Sequence, residues 1–212
     1  MPAPAPATGA SSSPPSPARR EDGLRCPFVD ANSQQLDELL RQAAEARRAA
    51  RPEDARLHLI AAAATARSTG HGRALVAALA GLAQLLRDAG DAAGAVPLLE
   101  EAVTHGQQLQ DPHALAHALR HLGELHLELG HVERAQQHLR EALDLYRVQP
   151  ATAPLDLANA VRPLAICLEC QGADDQARML WGEAHDLYAG LGIDAGVTEC
   201  SAGVARLTTR PV

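Results

Sequence analysis

Apolar residues recur along most of the chain at intervals of three or four positions. Leu115, Leu119 and Leu122 form one such run, and this spacing places their side chains on one face of an α-helix. Gly130 follows the run, and glycine commonly takes the left-handed position at which a helix ends. Equivalent patterns predict nine helices, spanning about 33–49, 52–68, 72–89, 92–109, 112–129, 132–148, 155–171, 174–189 and 194–208.

Prolines mark some of these helix boundaries and interrupt two of the helices. Asp111 and Pro112 have the residue types of an N-cap followed by a first-turn proline. Pro52 opens another helix in the same way. Pro97 and Pro163 fall inside predicted helices, where a proline removes a hydrogen bond and is expected to bend the helix.

The helical pattern is itself repeated. Residues 75–102 resemble residues 115–142 at a shift of 40, and residues 115–146 resemble residues 157–188 at a shift of 42. A degenerate earlier copy lies at 55–62. In three copies an alanine follows the helix-ending glycine by five residues, at Ala95, Ala135 and Ala177. A small side chain there allows the second helix of each copy to cross closely over the first.

The order of residue types in each copy resembles the tetratricopeptide repeat. In the second copy it runs Leu119, Leu122, Gly123, Gly130, Ala135, Leu139, Ala142. The resemblance covers about 32–190 and implies an all-α, right-handed α-solenoid of antiparallel helix pairs, with about four repeats plus a C-terminal capping helix. The period of 40–42 residues exceeds the common 34 and is similar to that of kinesin light chains.

Composition supports a helical chain and limits its partners. Ala and Leu, which favour helices, far outnumber the aromatic residues, of which there are one Phe, one Trp and two Tyr. The net charge is −7, whereas a nucleic-acid or anionic-membrane partner calls for clustered Lys and Arg. We therefore expect neither partner.

Three segments are expected along the chain. Residues 1–30 are rich in Pro, Ala and Ser and are predicted to form a disordered tail. Residues 31–190 hold the helical repeats, and residues 191–212 hold the capping helix and a short tail. The first residues lack the pattern of a secretory signal, so a reducing cytoplasm is the expected location. The high content of Ala, Arg and Gly suggests a bacterial source.

Two clusters raise the question of metal or redox chemistry. His113, His117 and His121 share one helix face, and imidazoles one turn apart can bind a transition metal, although solvent exposure would explain the stripe equally well. Cys167 and Cys170 form a lone C-x-x-C without the second pair or preceding strand that zinc or thioredoxin-like sites require. The chain has no phosphate-binding glycine motif or nucleophile elbow. We expect no metal, no cofactor and no enzymatic activity.

The resemblance implies a concave groove lined by the first helix of each pair. The family's inward positions fall on Gln84, Arg87, Asp88, His117, Arg120, Glu124, Asn159 and Arg162. Arg120 and Arg162 are equivalent positions in successive repeats and are expected to face solvent, where they could hold carboxylates of a ligand. The alternative is that both pair with nearby Glu or Asp. The Lys/Asn clamp by which some family members hold chaperone C-termini is not matched.

The predicted function is a protein–protein interaction scaffold that binds a peptide or protein partner in this groove. One alternative is a self-associating structural protein or signalling sensor, which would form a homo-oligomer. A distant alternative is a metal- or redox-active protein that uses His113, His117 and His121, or the Cys167/Cys170 pair.

Overall fold

The computed structural model describes residues 31–209, so the predicted disordered tail and the last three residues lie outside the described range. Within it the chain forms nine α-helices and no strand: α1 (Ala31–Arg48), α2 (Pro52–Thr69), α3 (Gly72–Asp88), α4 (Ala92–Gln108), α5 (Pro112–Glu128), α6 (Val132–Arg147), α7 (Pro154–Cys170), α8 (Asp174–Gly190) and α9 (Asp194–Thr208). Each predicted helix agrees with these bounds to within two residues at either end. No helix in this range is both long and apolar enough to span a bilayer.

A residue in the left-handed backbone region closes most of the turns. At Gly130, φ is +77°, and the next amide, that of His131, donates to the His126 carbonyl at 2.8 Å, the bond that ends many helices. Such residues recur at intervals of twenty: Ala50, Gly70, Gly90, Gln110 and Gly130, then Gly172 and Gly192. One helix with its turn thus occupies 20 residues, and a helix pair occupies 40.

The change of period from 40 to 42 residues has a local cause. The connection between α6 and α7 spans residues 148–153, whereas the other connections contain two or three residues. Every later element is therefore displaced by two positions in the sequence. The helical architecture continues unchanged beyond this longer connection.

The stack of helices curves toward its odd-numbered members. Each helix packs against the next, and α1 also contacts α3, α3 contacts α5 and α5 contacts α7. Among residues 31–209, successive even-numbered helices do not approach one another to the same extent. The odd-numbered helices therefore line the concave side of a helical-repeat solenoid. We call the surface formed by α3, α5 and α7 the inner face.

Small residues hold the two helices of each pair close together. Ala95, Ala135 and Ala177 are completely buried, which confirms their predicted place at the helix crossings. Gly123 of α5 faces the same crossing, where an added Cβ would lie 2.6 Å from Leu139 Cγ. Because real Cβ atoms do not approach so closely, neither helix can accept a larger residue there without moving.

The last helix covers the end of the stack. α9 packs on α8 and buries Cys200 and Leu207 in the same core as Trp181. Gly203 of α9 lies against the Trp181 ring, where a Cβ would come within 2.6 Å of the indole. The two interrupting prolines are tolerated, since α4 continues through Pro97 and α7 continues through Pro163.

Candidate interaction face

All eight residues predicted for the groove belong to the three helices of the inner face. Gln84, Arg87 and Asp88 lie on α3, His117, Arg120 and Glu124 on α5, and Asn159 and Arg162 on α7. An ion pair between Arg87 and Glu124 joins the α3 and α5 members. The two α7 members instead contact α8 and α9.

Glu124 is the centre of an ionic network between α3 and α5. Arg120 donates to Glu124 Oε1 at 2.8 Å, and Arg87 NH1 lies 3.6 Å from Oε2. His121 Nδ1 is also 3.6 Å from Oε2. Burial alone would raise the pKa of Glu124, but the neighbouring His121 and the Arg120 charge outweigh it and lower the pKa to about 2. Glu124 therefore remains a carboxylate between the Arg87 and Arg120 guanidinium groups.

Arg120 is buried, so the expectation that it faces solvent is wrong. Only 7% of the residue is exposed, because it lies between Glu124 and the fully buried Tyr146 of α6. The pKa of Tyr146 is raised to about 12, chiefly by burial, so the phenol is neutral beside the guanidinium. The structure shows the alternative arrangement instead: Arg120 forms an ion pair with Glu124 inside the stack.

Asp88 extends the polar network toward α1. Gln84 Nε2 donates to Asp88 Oδ1 at 2.8 Å. Arg47 of α1 donates to Asp88 Oδ2 at 3.3 Å, and Arg87 Nε donates to Glu128 at 2.9 Å. Polar contacts thus run without a break from α1 across α3 to α5.

Arg162 is more accessible than its equivalent one repeat earlier. Its side chain is 29% exposed and donates to the two oxygens of Glu199 on α9, at 3.0 and 3.1 Å. Glu199 is itself 45% exposed. Next to this pair, the Tyr188 hydroxyl donates to Asn159 Oδ1 at 2.8 Å. The last helix therefore supplies the carboxylate that neutralises the exposed end of the inner face.

Sequence reasoning did not find two residues that contact the predicted groove residues, Glu199 of α9 and His121 of α5. Glu199 lies 40 residues after Asn159, so the repeat register places it on the same row of the inner face. The repeat register carries that signal, whereas the apolar residues of α9 by themselves indicate only a cap. His121 follows Arg120 directly, and its Nε2 lies 2.8 Å from the Arg120 guanidinium, a contact that the spacing of the histidines does not indicate.

A family model for the tetratricopeptide repeat matches residues 73–147, the span of α3 to α6. Residues 73–147 therefore match the tetratricopeptide repeat, and the rest of the described range continues the same helical-repeat architecture. A direct comparison with curated proteins finds no match.

Solved structures share the fold of these tetratricopeptide repeats. A Rap protein complexed with competence and sporulation factor is 18% identical, with a TM-score of 0.69 over 81% of this chain and 47% of that one. The apo form of RapI is 14% identical, with a TM-score of 0.67 over 78% and 60%. The putative kinesin light chain repeats of Podosopora anserina are 17% identical, with a TM-score of 0.64 over 84% and 86%. The chain thus spans only about half to three-fifths of the two Rap proteins.

Two of the three histidines in the stripe, His117 and His121, are packed, whereas His113 is half-exposed. The rings of His117 and His121 meet edge to face with centroids 4.6 Å apart, and His113 packs against Tyr146 at 5.8 Å. Burial, then the charges of His121 and Arg120, lower the pKa of His117 to about 3. Among residues 31–209, no three His, Cys, Asp or Glu side chains stand where they could hold a metal ion together.

The two cysteines of the C-x-x-C occupy different environments. Cys167 is completely buried in the core, at the position equivalent to Leu125, whereas Cys170 is exposed. Burial raises the pKa of the Cys167 thiol to about 12. A thiol so rarely ionised is a poor nucleophile and a poor metal ligand.

Proposed function

We propose that the chain is a protein–protein interaction scaffold whose inner face holds a peptide or protein partner. Tetratricopeptide repeats are typical of interaction modules, and a Rap protein of similar fold is found complexed with competence and sporulation factor. The observation that carries the proposal is the collection of charged and hydrogen-bonding side chains along α3, α5 and α7, in register from repeat to repeat. No catalytic step is assigned to the chain.

The residues of the inner face divide into two roles in this proposal. Arg120 and Glu124 are both largely buried, with 8% and 15% of their side chains exposed, so they hold the face together. Arg162 and Asn159 lie beside the exposed Glu199 and contact the partner. An incoming carboxylate could replace Glu199 on the Arg162 guanidinium, which binds carboxylates well. The favoured partner therefore presents an acidic residue or a terminal carboxylate.

Capture from a native lysate tests the proposal. Immobilised wild-type chain is compared with Arg162→Ala and with Arg140→Ala, which removes an exposed arginine from the outer helix α6. Both variants should melt near the wild type, because the partly exposed Arg162–Glu199 pair contributes about 0–1 kcal/mol and Arg140 is an exposed surface residue. We expect Arg162→Ala to lose a captured protein that Arg140→Ala retains. Identical captured sets for the three proteins would contradict the proposed site.

The Glu199 carboxylate provides a second readout. If it competes with the partner for Arg162, Glu199→Gln should strengthen capture while Arg162→Ala weakens it. Weaker capture by Glu199→Gln would instead mean that Glu199 itself contacts the partner, and the proposed exchange of carboxylates would be wrong.

Self-association is a second candidate, favoured by an exposed apolar stripe on α2. Leu57 and Ile60 are 61% and 46% exposed, and exposed Ala61 and Ala64 continue the same helix face. Light scattering after size-exclusion chromatography tests this candidate. A dimer that dissociates on Leu57→Glu would support it, and a monomeric wild type would rule it out.

A further inference from the structure

Three histidines meet around the turn between α5 and α6, away from the inner face. His126 lies at the end of α5 and is 4% exposed, and His131 lies in the turn and is exposed. Their Nδ1 atoms are 3.4 Å apart. The ring of His138 on α6 stacks on that of His126 with centroids 5.5 Å apart. His138 Nδ1 is buried without a hydrogen-bond partner, so the polar groups of this cluster are incompletely satisfied.

The distance between the two facing nitrogens is informative. Ordinary N–H···acceptor bonds cluster at about 2.9–3.0 Å, so 3.4 Å is long for a hydrogen bond between two imidazoles. A tetrahedral zinc ion bound at about 2.0–2.1 Å to two imidazole nitrogens requires them to be about 3.3–3.4 Å apart. The ring centroids of His126 and His131 are 5.6 Å apart, which places each Nδ1 atom between the rings and directs it toward the other.

We propose that His126 and His131 form a two-histidine binding site for a borderline-soft divalent cation such as Zn²⁺ or Ni²⁺. The two Nδ1 atoms supply the protein ligands, and water completes the coordination, since the described residues offer no third ligand in position. Imidazole is a preferred ligand of both ions. Because His131 is exposed, the ion can reach the pair from solvent without opening the fold.

Both carboxylates and an arginine lie near the three histidines. Glu100 of α4 and Glu141 of α6 act electrostatically on His138, and Glu100 also acts on His126. Arg134 of α6 opposes them. Bound metal would join the last turn of α5 to the turn around Gly130, and it would stabilise that junction because it binds only the folded arrangement.

Titration calorimetry of the full chain, without a polyhistidine tag, tests the site with ZnCl₂ and NiCl₂ as probes. His131→Gln removes one ligand at an exposed position, so folding should be unaffected, as melting in EDTA will verify. His113→Gln is the matched control, since it removes a half-exposed histidine from the stripe on the same helix, α5. We expect one ion per chain, affinity at least about tenfold weaker in His131→Gln, and unchanged affinity in His113→Gln.

The remaining outcomes overturn the proposal. No binding by the wild type would rule out a metal site at His126 and His131. Equal binding by His131→Gln would place any ion elsewhere, and loss of binding in His113→Gln would move the site to the histidine stripe.

Discussion

Side-chain volume decides how closely the two helices of a repeat approach. Ala135 is completely buried where α6 crosses α5, and Gly123 on α5 leaves no space for even a Cβ beside Leu139. Because this crossing is close-packed, a larger side chain fits only if one of the two helices moves.

Ala135→Leu should therefore destabilise the fold by about 1–3 kcal/mol, the usual cost of overpacking. Gln137→Leu is the control, because it places the same side chain at an exposed position of the same helix and should change stability by about half a kcal/mol or less. Urea unfolding followed by circular dichroism measures both. Equal losses in the two variants would refute the helix register proposed for the crossing.

The buried Glu124 should make stability depend on pH. Its pKa falls from an ordinary 4.5 to about 2 in the folded chain. A carboxylate with a lowered folded pKa stabilises the fold above its unfolded pKa and loses that contribution as the pH falls through the folded one. The stability advantage of the wild type over Glu124→Gln should therefore be constant near neutral pH and shrink between about pH 4.5 and 2. A difference independent of pH in unfolding experiments would contradict this.

The sequence predicts on which helix a charged residue lies, but it does not predict whether that residue is buried. The repeat register correctly placed Arg120 on the inner helix α5, but not its burial. That burial depends on Tyr146 from the next helix, and on Arg87 from the preceding repeat sharing Glu124. Such contacts join residues distant in the chain, and no periodicity within one helix encodes them.

At the scale of helices, sequence prediction succeeded because each element has its own local signal. The apolar stripe, the glycine at the turn and the prolines at Pro112 and Pro52 fix the helix bounds independently of tertiary packing. The role of α9 was predicted only in part. Its apolar residues indicated a cap, but Glu199 on its inner side depends on how the helix docks.

Docking of α9 can be followed with the single tryptophan of the chain. Trp181 is 1% exposed and lies under Gly203, where a Cβ would meet the indole at 2.6 Å. Gly203→Leu should displace α9, shift Trp181 fluorescence to longer wavelength and increase its quenching by acrylamide. Ala202→Leu, at the neighbouring exposed position, should leave both unchanged. Unaltered quenching in Gly203→Leu would mean that α9 does not seal the stack as described.

At the scale of the whole molecule, twenty-residue helical units build a curved stack that brings the odd-numbered helices together. Curvature gathers side chains from α3, α5 and α7, which are separated by 40 or more residues in sequence, onto one surface. The period alone predicts this arrangement, because equivalent positions in successive repeats must share a face. The identity of the partner is not encoded in the period, since it depends on the few exposed side chains that differ between repeats.

Site-specific photo-cross-linking tests the central claim, that the inner face holds the partner, most directly. A photoreactive amino acid replaces Gln84 on the inner helix α3 or Gln137 on the outer helix α6, both of which are at least partly exposed. Each variant is irradiated with the protein captured from lysate. The account predicts a covalent adduct from position 84 and none from position 137. An adduct from position 137 alone, or equal adducts from both, would contradict it.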